Sequence, residues 1–374
     1  MAQDADMALV RQEQASPTRR YRVMGICLAV LVVCIVLVSV CIGRYPVSPG
    51  VLAQILAASA AEALDALRGV FGASALVADG SYYDGIDASA YTAVMQVRLP
   101  RVIVCAFVGA ALSIAGASYQ GLFQNPMCSQ DVLGASSGAA FGAALAIYLS
   151  LGHALVSGFA FAFGIVAVLI SYAISRMSKS SPILALILAG MVVSSLFSSG
   201  TSTIKLVADT EDTLPAITYW LMGSLASVRM SDVVPTIVPI IAAATPIVLL
   251  RWRINLLATG EEEAKSLGMN TNAMRLVVIV CATFLTATCV AVSGLIGWVG
   301  LVIPHFCRML FGQDYRRIIP SCIVMGAGFL VLVDDIARMA TTSEIPIGIL
   351  TAFVGAPIFM YLIVKGGARH GSGA

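Results

Sequence analysis

Charge is scarce in this sequence of 374 residues. Only 11% of the residues are Asp, Glu, Lys or Arg, whereas a soluble domain carries about 25%. Hydrophobic residues make up 59%, and the mean hydropathy is +0.92. This composition excludes an ordinary soluble domain and predicts an integral membrane protein whose chain lies mostly within the bilayer.

Several chemical signatures are also missing. None of the four lysines follows a glycine, so the sequence has no phosphate-binding loop of the Walker A type. The three histidines lie far apart, and the nine cysteines contain no C-x-x-C pair, which predicts no metal site, cofactor or disulfide framework. The net charge of +2 forms no basic stripe for nucleic acid. No catalytic constellation stands out, so an enzyme is disfavoured.

Ten apolar runs predict an all-α protein with ten transmembrane helices. They cover residues 23–42, 102–120, 132–175 (two spans divided at Gly152), 182–204, 233–250, 276–292, 295–311, 318–333 and 345–364. This arrangement places fifteen of the 22 basic residues on one side of the membrane. By the positive-inside rule that side is the cytoplasm, and both chain ends lie there.

The predicted organisation follows from these spans. Residues 1–22 form a cytoplasmic tail, 23–43 the first transmembrane helix, 98–365 the nine-helix remainder and 366–374 a second cytoplasmic tail. Between the first two spans, residues 44–97 form an extracytoplasmic insert with an amphipathic helix at 51–70 and a Gly-, Asp- and Tyr-rich loop at 73–87. The sequence assigns no function to the insert.

The longest polar interruption in the second half of the chain covers residues 251–275. Within it, a glycine, an acidic first turn and a closing glycine predict one short helix, because acidic residues favour the positive end of a helix. Such a helix is suited to contact a partner; a solvated connector is the alternative. The residues concerned are Gly260, Glu261, Glu262, Glu263, Ala264, Lys265, Leu267 and Gly268.

Two span surfaces carry small residues. Gly134, Gly138 and Gly142 predict close helix packing, either within the subunit or at a dimer seam. The outer half of the fifth span is rich in hydroxyls, which could form a polar wall of a translocation path or could bond to their own helix. The candidates for the path are Ser194, Ser195, Ser198, Ser199 and Thr201.

Arg98, Arg101 and Arg338 are predicted on the extracytoplasmic side, where basic residues are under-represented. Their planar groups would suit the carboxylates of a partner that docks and leaves; anchoring to lipid phosphates is the alternative. All twenty acidic residues are placed in loops or at span ends, with residues 334–344 outside. This placement disfavours an ion-coupled secondary transporter, which usually keeps an ionisable group within the bilayer.

These features together resemble the permease subunits of ABC importers for iron chelates and cobalamin. The resemblance covers residues 98–365 through ordered motifs: R-L-P-R at 98, Q-x-x-F-x-N-P-M at 120, L-G-A-S-S-G at 133, L-A-G-M at 188, W-L-M-G-S-L at 220, T-G-E-E-E-A-K-S-L-G at 259, G-L-I-G-W-V-G-L-V-I-P-H-F-C-R at 294, D-D-I-A-R at 334 and I-P-I-G-I-L-T-A-F-V-G-A-P at 345.

The resemblance implies ten helices in a bundle like that of the cobalamin-importer permease. It implies a transporter with a second permease subunit, two cytoplasmic ATP-binding subunits and an extracytoplasmic solute-binding protein. In such permeases the loop matching residues 260–268 couples to the ATPase, the arginines matching Arg98, Arg101 and Arg338 meet the binding protein, and the fifth helix lines the path. The expected cargo is an iron-siderophore, with haem or cobalamin as alternatives. The insert departs from the family pattern, which usually has a shorter link there.

Overall fold

The computed structural model describes residues 2–43, 45–70, 82–83, 85–178, 181–341 and 343–370. Within these ranges the regular structure is helical. The α-helices are α1 (Ala2–Cys41), α2 (Pro49–Val70), α3 (Ala88–Tyr91), α4 (Leu99–Leu122), α5 (Ala135–Tyr148), α6 (His153–Met177), α7 (Pro182–Val207), α8 (Thr213–Leu221), α9 (Met230–Leu249), α10 (Arg251–Leu257), α11 (Glu261–Ser266), α12 (Thr271–Ser293), α13 (Val299–Phe311), α14 (Tyr315–Met339) and α15 (Ile347–His370), with a π-helix at Thr92–Arg98.

The all-α membrane fold is confirmed, because each predicted span coincides with an apolar helix. Seven helices in the described part of the chain are long and apolar enough to cross a membrane: α1, α4 with the preceding turns, α6, α7, α9, α12 and α14. Three shorter apolar helices occupy the other predicted spans, at Ala135–Tyr148, Val299–Phe311 and Ile347–Tyr361. The first two contain 14 and 13 residues, so each is only about 20 Å long against a hydrocarbon core of about 30 Å.

Two non-helical segments account for the short spans. Residues 123–134 precede α5 and residues 294–298 precede α13, and the two segments meet inside the bundle. Gln130 Nε2 donates to the carbonyl of Ile296 at 3.3 Å, and the carbonyl of Gln130 lies 3.4 Å from the Thr286 hydroxyl, more than half-way along α12. Irregular backbone is tolerated at membrane depth only where protein surrounds it. The link between the second and third predicted spans therefore turns back into the bundle.

Close backbone contacts hold these elements together. A Cβ atom added at Gly116 of α4 would overlap the carbonyl of Gly300 in α13, and one at Gly109 would overlap that of Gly326 in α14. Gly138 and Gly142 of α5 pack in the same way on the α6 backbone at Phe163 and Phe159. Gly138 and Gly142 therefore lie against α6 within the subunit.

Helices α4 and α12 form the centre of the bundle. In their most apolar stretches 83% and 72% of the residues are buried, against 33% in α7 and 22% in α9. The Tyr119 hydroxyl of α4 lies 3.2 Å from that of Thr283 in α12, so the two central helices also share a polar contact. A displacement of α12 would therefore reach most of the membrane helices.

The insert contains the predicted amphipathic helix as α2. Its apolar face buries Leu52 and Ile55, which belong to the same apolar core as the π-helix residue Val94. Two tyrosines also bond to α2, since Tyr82 donates to Asp65 and Tyr83 donates to Glu62. Most of the predicted loop at 73–87 lies outside the described residues.

Replacing Gly138 with Val should destabilise the protein. The added Cβ would lie against the Phe163 carbonyl and 2.6 Å from the Cβ of Ala167, so α5 and α6 must separate. Overpacking of this kind costs about 1–3 kcal/mol. A lower apparent Tm in detergent is expected, whereas Gly25→Val in α1, where no atom lies within 4 Å of the new Cβ, should change little. Equal melting of the two variants would contradict the packing assignment.

Candidate functional site

The short helix predicted in the loop at 251–275 is present as α11. It begins after Gly260, whose φ of 146° and ψ of 149° suit glycine, and it ends before Gly268, whose φ is 79°. Three glutamates occupy the first turn, where the unpaired backbone amides favour negative charge. The Glu263 carboxylate folds back against Gly260 and would have to move to admit a Cβ there.

Glu261 ties α11 to the central helix α12. Its carboxylate lies 2.9 Å from Arg275 Nη2 and 3.2 Å from Lys265 Nζ, and it accepts from the Thr271 hydroxyl at 3.4 Å. Partial burial alone would raise the pKa of Glu261, but Lys265 and Arg275 outweigh it and lower that pKa below its ordinary value. Ala264, on the face of α11 that packs against the bundle, is fully buried. One face of α11 is therefore fixed to the bundle.

The other face of α11 is free in the single chain. The side chain of Glu262 is 89% exposed, and Leu267 at the end of the helix is 69% exposed. A recess of about 610 Å³ adjoins it, with Trp252, Leu267 and Arg316 among its lining residues. Exposed apolar and aromatic side chains around a concave surface are features of a protein-docking site.

The hydroxyl-rich part of α7 lies on the bundle surface. Ser195, Ser198 and Ser199 are exposed, Ser194 is half-buried and Thr201 is buried. Ser195 and Thr201 each donate to the carbonyl four residues earlier, at 3.0 Å. These bonds fit the alternative in which the hydroxyls satisfy their own helix. The exposure of the serines leaves the role in a translocation path as a prediction.

The three arginines predicted to dock a partner are not exposed. Arg98, Arg101 and Arg338 are 5%, 3% and 7% exposed, and their guanidinium groups bond within the chain. Arg98 donates to the carbonyls of Cys41 at 2.9 Å and of Tyr45. In this conformation the three arginines are therefore not available to an external partner, because carbonyls and carboxylates of the same chain already accept their hydrogen bonds.

Asp334 is the centre of this buried charge cluster. Its side chain is 1% exposed; Arg101 donates to it at 2.8 Å, and Arg338 Nε lies 3.2 Å away. Arg101 also reaches Glu344 at 2.9 Å, while Arg338 pairs with Asp335 and donates to the Ser39 hydroxyl at 2.8 Å. The cluster joins α1, α4 and α14 at the end of the bundle opposite α11.

The placement of residues 334–344 outside the spans needs correction. Helix α14 continues to Met339, so Asp334 and Asp335 lie within it, and Asp334 is an acidic residue buried in the bundle. The signal was present in the sequence, because Asp334 precedes Arg338 by four residues and opposite charges at that spacing meet on a helix.

Comparison with known proteins now gives the family. The profile of the FecCD transport family matches residues 29–365. The chain belongs to this family. It is an ABC importer permease, one subunit of a transporter complex, and a multi-span protein of this type resides in the plasma membrane.

Relatives of this FecCD permease have several different cargoes in their names. The molybdate import system permease protein MolB of Haemophilus influenzae is 39% identical over 340 residues, covering 90% of this chain and 94% of that protein. A probable iron chelatin permease of Helicobacter pylori is 38% identical, covering 73% and 82%. The cobalamin permease BtuC of Halobacterium salinarum is 38% identical and covers 75% of each chain.

A solved structure is similar to this FecCD permease along nearly its whole length. It is described as an inward-facing conformation of a putative metal-chelate type ABC transporter. The TM-score is 0.78 at 35% identity, with 91% of this chain and 99% of that chain covered. The helical bundle described above is therefore the family fold.

Asp334→Ala should destabilise this FecCD permease strongly. The substitution would remove the carboxylate that Arg101 and Arg338 share, while both guanidinium groups stay buried. Breaking a buried ion pair costs about 3–5 kcal/mol. A large fall in apparent Tm and in folded yield is expected by fluorescence-detected chromatography of heated samples.

Glu344→Gln provides the matched control, because the Glu344 side chain is 28% exposed and its pair should contribute no more than about 1 kcal/mol. If the two variants melted together, Asp334 would not hold the cluster.

Proposed function

We propose that the chain is a gate without an energy source of its own, driven by ATP hydrolysis on partner subunits. Two cytoplasmic ATP-binding chains, a second permease subunit and an extracytoplasmic solute-binding protein would complete the importer. Both termini would lie in the cytoplasm, where the positive-inside rule places α11. The absence of a Walker A lysine in the sequence supports an external motor.

The observation that carries this proposal is the two-sided construction of α11. Its inner face is fixed to α12 through the Glu261–Arg275 pair at 2.9 Å, and its outer face exposes Glu262 and Leu267. A force applied by an ATPase to the outer face would pass through Arg275 into the buried central helix. A solvated connector would need neither the anchor nor the recess beside it.

The exposed serines of α7 support a second subunit beside this helix. Ser195, Ser198 and Ser199 lie on the surface of a single chain. Ser195 already donates to its own helix, but lipid offers nothing to the hydrogen-bond-accepting capacity of these hydroxyls. A water-containing path between two permeases would solvate them. Thr201 is buried, so its role would be to hold the helix rather than to contact cargo.

For the cargo we propose an iron-siderophore complex, with haem or cobalamin as alternatives on the same scaffold. The iron-chelatin permease of H. pylori and the metal-chelate type transporter support a chelate. Molybdate is a second candidate, because the permease MolB of H. influenzae matches 90% of this chain. Neutral hydroxyls on α7 fit either cargo, since both present oxygen atoms that accept hydrogen bonds.

Replacing Glu262 and Glu263 with Lys should uncouple ATP hydrolysis from uptake. Two charges on the exposed face of α11 would be reversed, while the Glu261–Arg275 anchor stays intact. The affinity of the ATPase for the permease should fall roughly tenfold, as expected for loss of about 1.4 kcal/mol at a docking site. Transport per ATP hydrolysed should fall with it in proteoliposomes containing the complete importer.

Glu211→Lys gives a charge-reversal control at a different site, because this exposed residue lies before α8, outside the coupling loop. It should leave coupling unchanged. Normal coupling in the double variant would mean that α11 is a connector.

Uptake with labelled cargo can distinguish the candidates. Proteoliposomes holding the complete importer should accumulate radioactive iron supplied as a siderophore complex, and an excess of unlabelled molybdate should not compete. Accumulation of radioactive molybdate, blocked by unlabelled molybdate but not by the iron complex, would replace the siderophore assignment with the oxyanion.

A further inference from the structure

A groove between α6 and α9 is not used by the function proposed above. It lies at the end of the bundle opposite α11 and has a volume of about 410 Å³. Its walls are mostly apolar, and α12 forms its floor. Among the residues that line it are Gly158, Phe161, Pro235, Pro239, Ala291 and Val292.

The floor of the groove holds a hydroxyl without a partner. Thr288 of α12 is 5% exposed, and its Oγ1 is buried with no hydrogen bond in the described structure. Neighbouring hydroxyls on the same helix do not share this condition, since Thr286 donates to Ala282 and Ser293 to Cys289, each four residues earlier. A buried hydroxyl left unpaired destabilises the fold, because its lost hydrogen bonds to water are not replaced. Rotation about χ1 would exchange its methyl and hydroxyl groups and offer a donor to a ligand.

The mouth of the groove is polar and opens into a recess of about 890 Å³. His153, Ser227 and Asp232 line both spaces, and Arg229 lines the recess. Asp232 accepts the backbone N–H of Arg229 at 2.9 Å, which brings the two residues together. The Arg229 side chain has no ion pair among the described residues. The residues that line the mouth therefore include one cation and one anion.

The depth of the groove matches one leaflet. Thr288 lies five residues before the end of α12, and Pro239 lies nine residues into α9, which correspond to depths of about 7 and 13 Å. Half of the hydrocarbon core is about 15 Å thick. Leu155 on α6 and Val234 and Val238 on α9, beside the groove, are more than half exposed, as expected for a wall that faces lipid.

We propose that the groove binds one phospholipid with an ethanolamine headgroup. An acyl chain would fill the apolar groove, and Thr288 would donate to an ester carbonyl. At the mouth, Arg229 would bind the phosphate and Asp232 the ammonium group, a pairing that fits a zwitterionic headgroup. The bound lipid would fill the space between α6 and α9 without any role for the cargo, so this inference stands apart from the transport proposal.

Native mass spectrometry of the full-length chain, stripped of lipid and titrated with a phosphatidylethanolamine, tests the site. The first lipid molecule should bind with higher affinity than any that binds after it. Gly158→Phe should weaken that first binding step, because no atom lies within 4 Å of a Cβ at Gly158 and the ring can fill the groove. Arg229→Gln should weaken it roughly tenfold, as expected for one lost charge-assisted contact.

Two matched controls separate the groove from general lipid binding. Gly25→Phe adds the same ring in an open position on α1, and Arg176→Gln removes an exposed arginine at the other end of α6. Both should bind lipid as the unchanged protein does. A phosphatidylcholine, whose quaternary amine cannot donate to Asp232, should bind more weakly.

Three results would overturn the proposal. Equal first-step affinity in all four variants would mean that the lipid is merely annular. Equal affinity for phosphatidylcholine and phosphatidylethanolamine would remove the assigned pairing of Asp232 with the ammonium group. Loss of subunit assembly in Gly158→Phe, with lipid affinity unchanged, would show that a protein helix occupies the groove.

Discussion

The ion pair between Glu261 and Arg275 is the interaction on which this account depends. At 2.9 Å it joins a short, exposed helix to the first turns of α12, the helix that runs through the centre of the bundle. Arg275 is itself 7% exposed, so the pair is partly withdrawn from water and less screened than a surface pair. Without it, α11 would be a loop that could move without moving the bundle.

The centre of the bundle is built to respond to such a movement. Two non-helical segments meet there. Gln120 of α4 donates to the Cys128 carbonyl, Thr286 of α12 donates to the Gln130 carbonyl, and the Gln130 side chain donates across to the Ile296 carbonyl. Glycine contacts between α4 and α13 bring the backbones close enough that neither helix can shift alone. A displacement that enters at Arg275 would therefore be shared by the short helices α5 and α13, whereas the charge cluster around Asp334 holds the opposite end of the bundle together.

The sequence predicted the helices well, because long apolar runs have few alternatives in a bilayer. It also predicted α11, because a glycine lies near each end of that helix and acidic residues fill its first turn. It could not predict the two segments that turn back into the bundle, because Gln130 looks like a loop residue until its partners Ile296 and Thr286 are known. The same limit applies to the arginines. Their charge indicated a side of the membrane, but hydropathy could not show that Arg101 and Arg338 are buried, because their burial depends on the position of the Asp334 carboxylate.

Flux through this permease in the presence and absence of its motor tests the central claim most directly. Proteoliposomes containing the purified chain alone, with cargo outside, should accumulate none above protein-free vesicles, with or without ATP. Adding the partner ATPase and binding protein should produce accumulation that depends on ATP hydrolysis. Accumulation by the chain alone, or uptake driven by a proton gradient without ATP, would contradict the account.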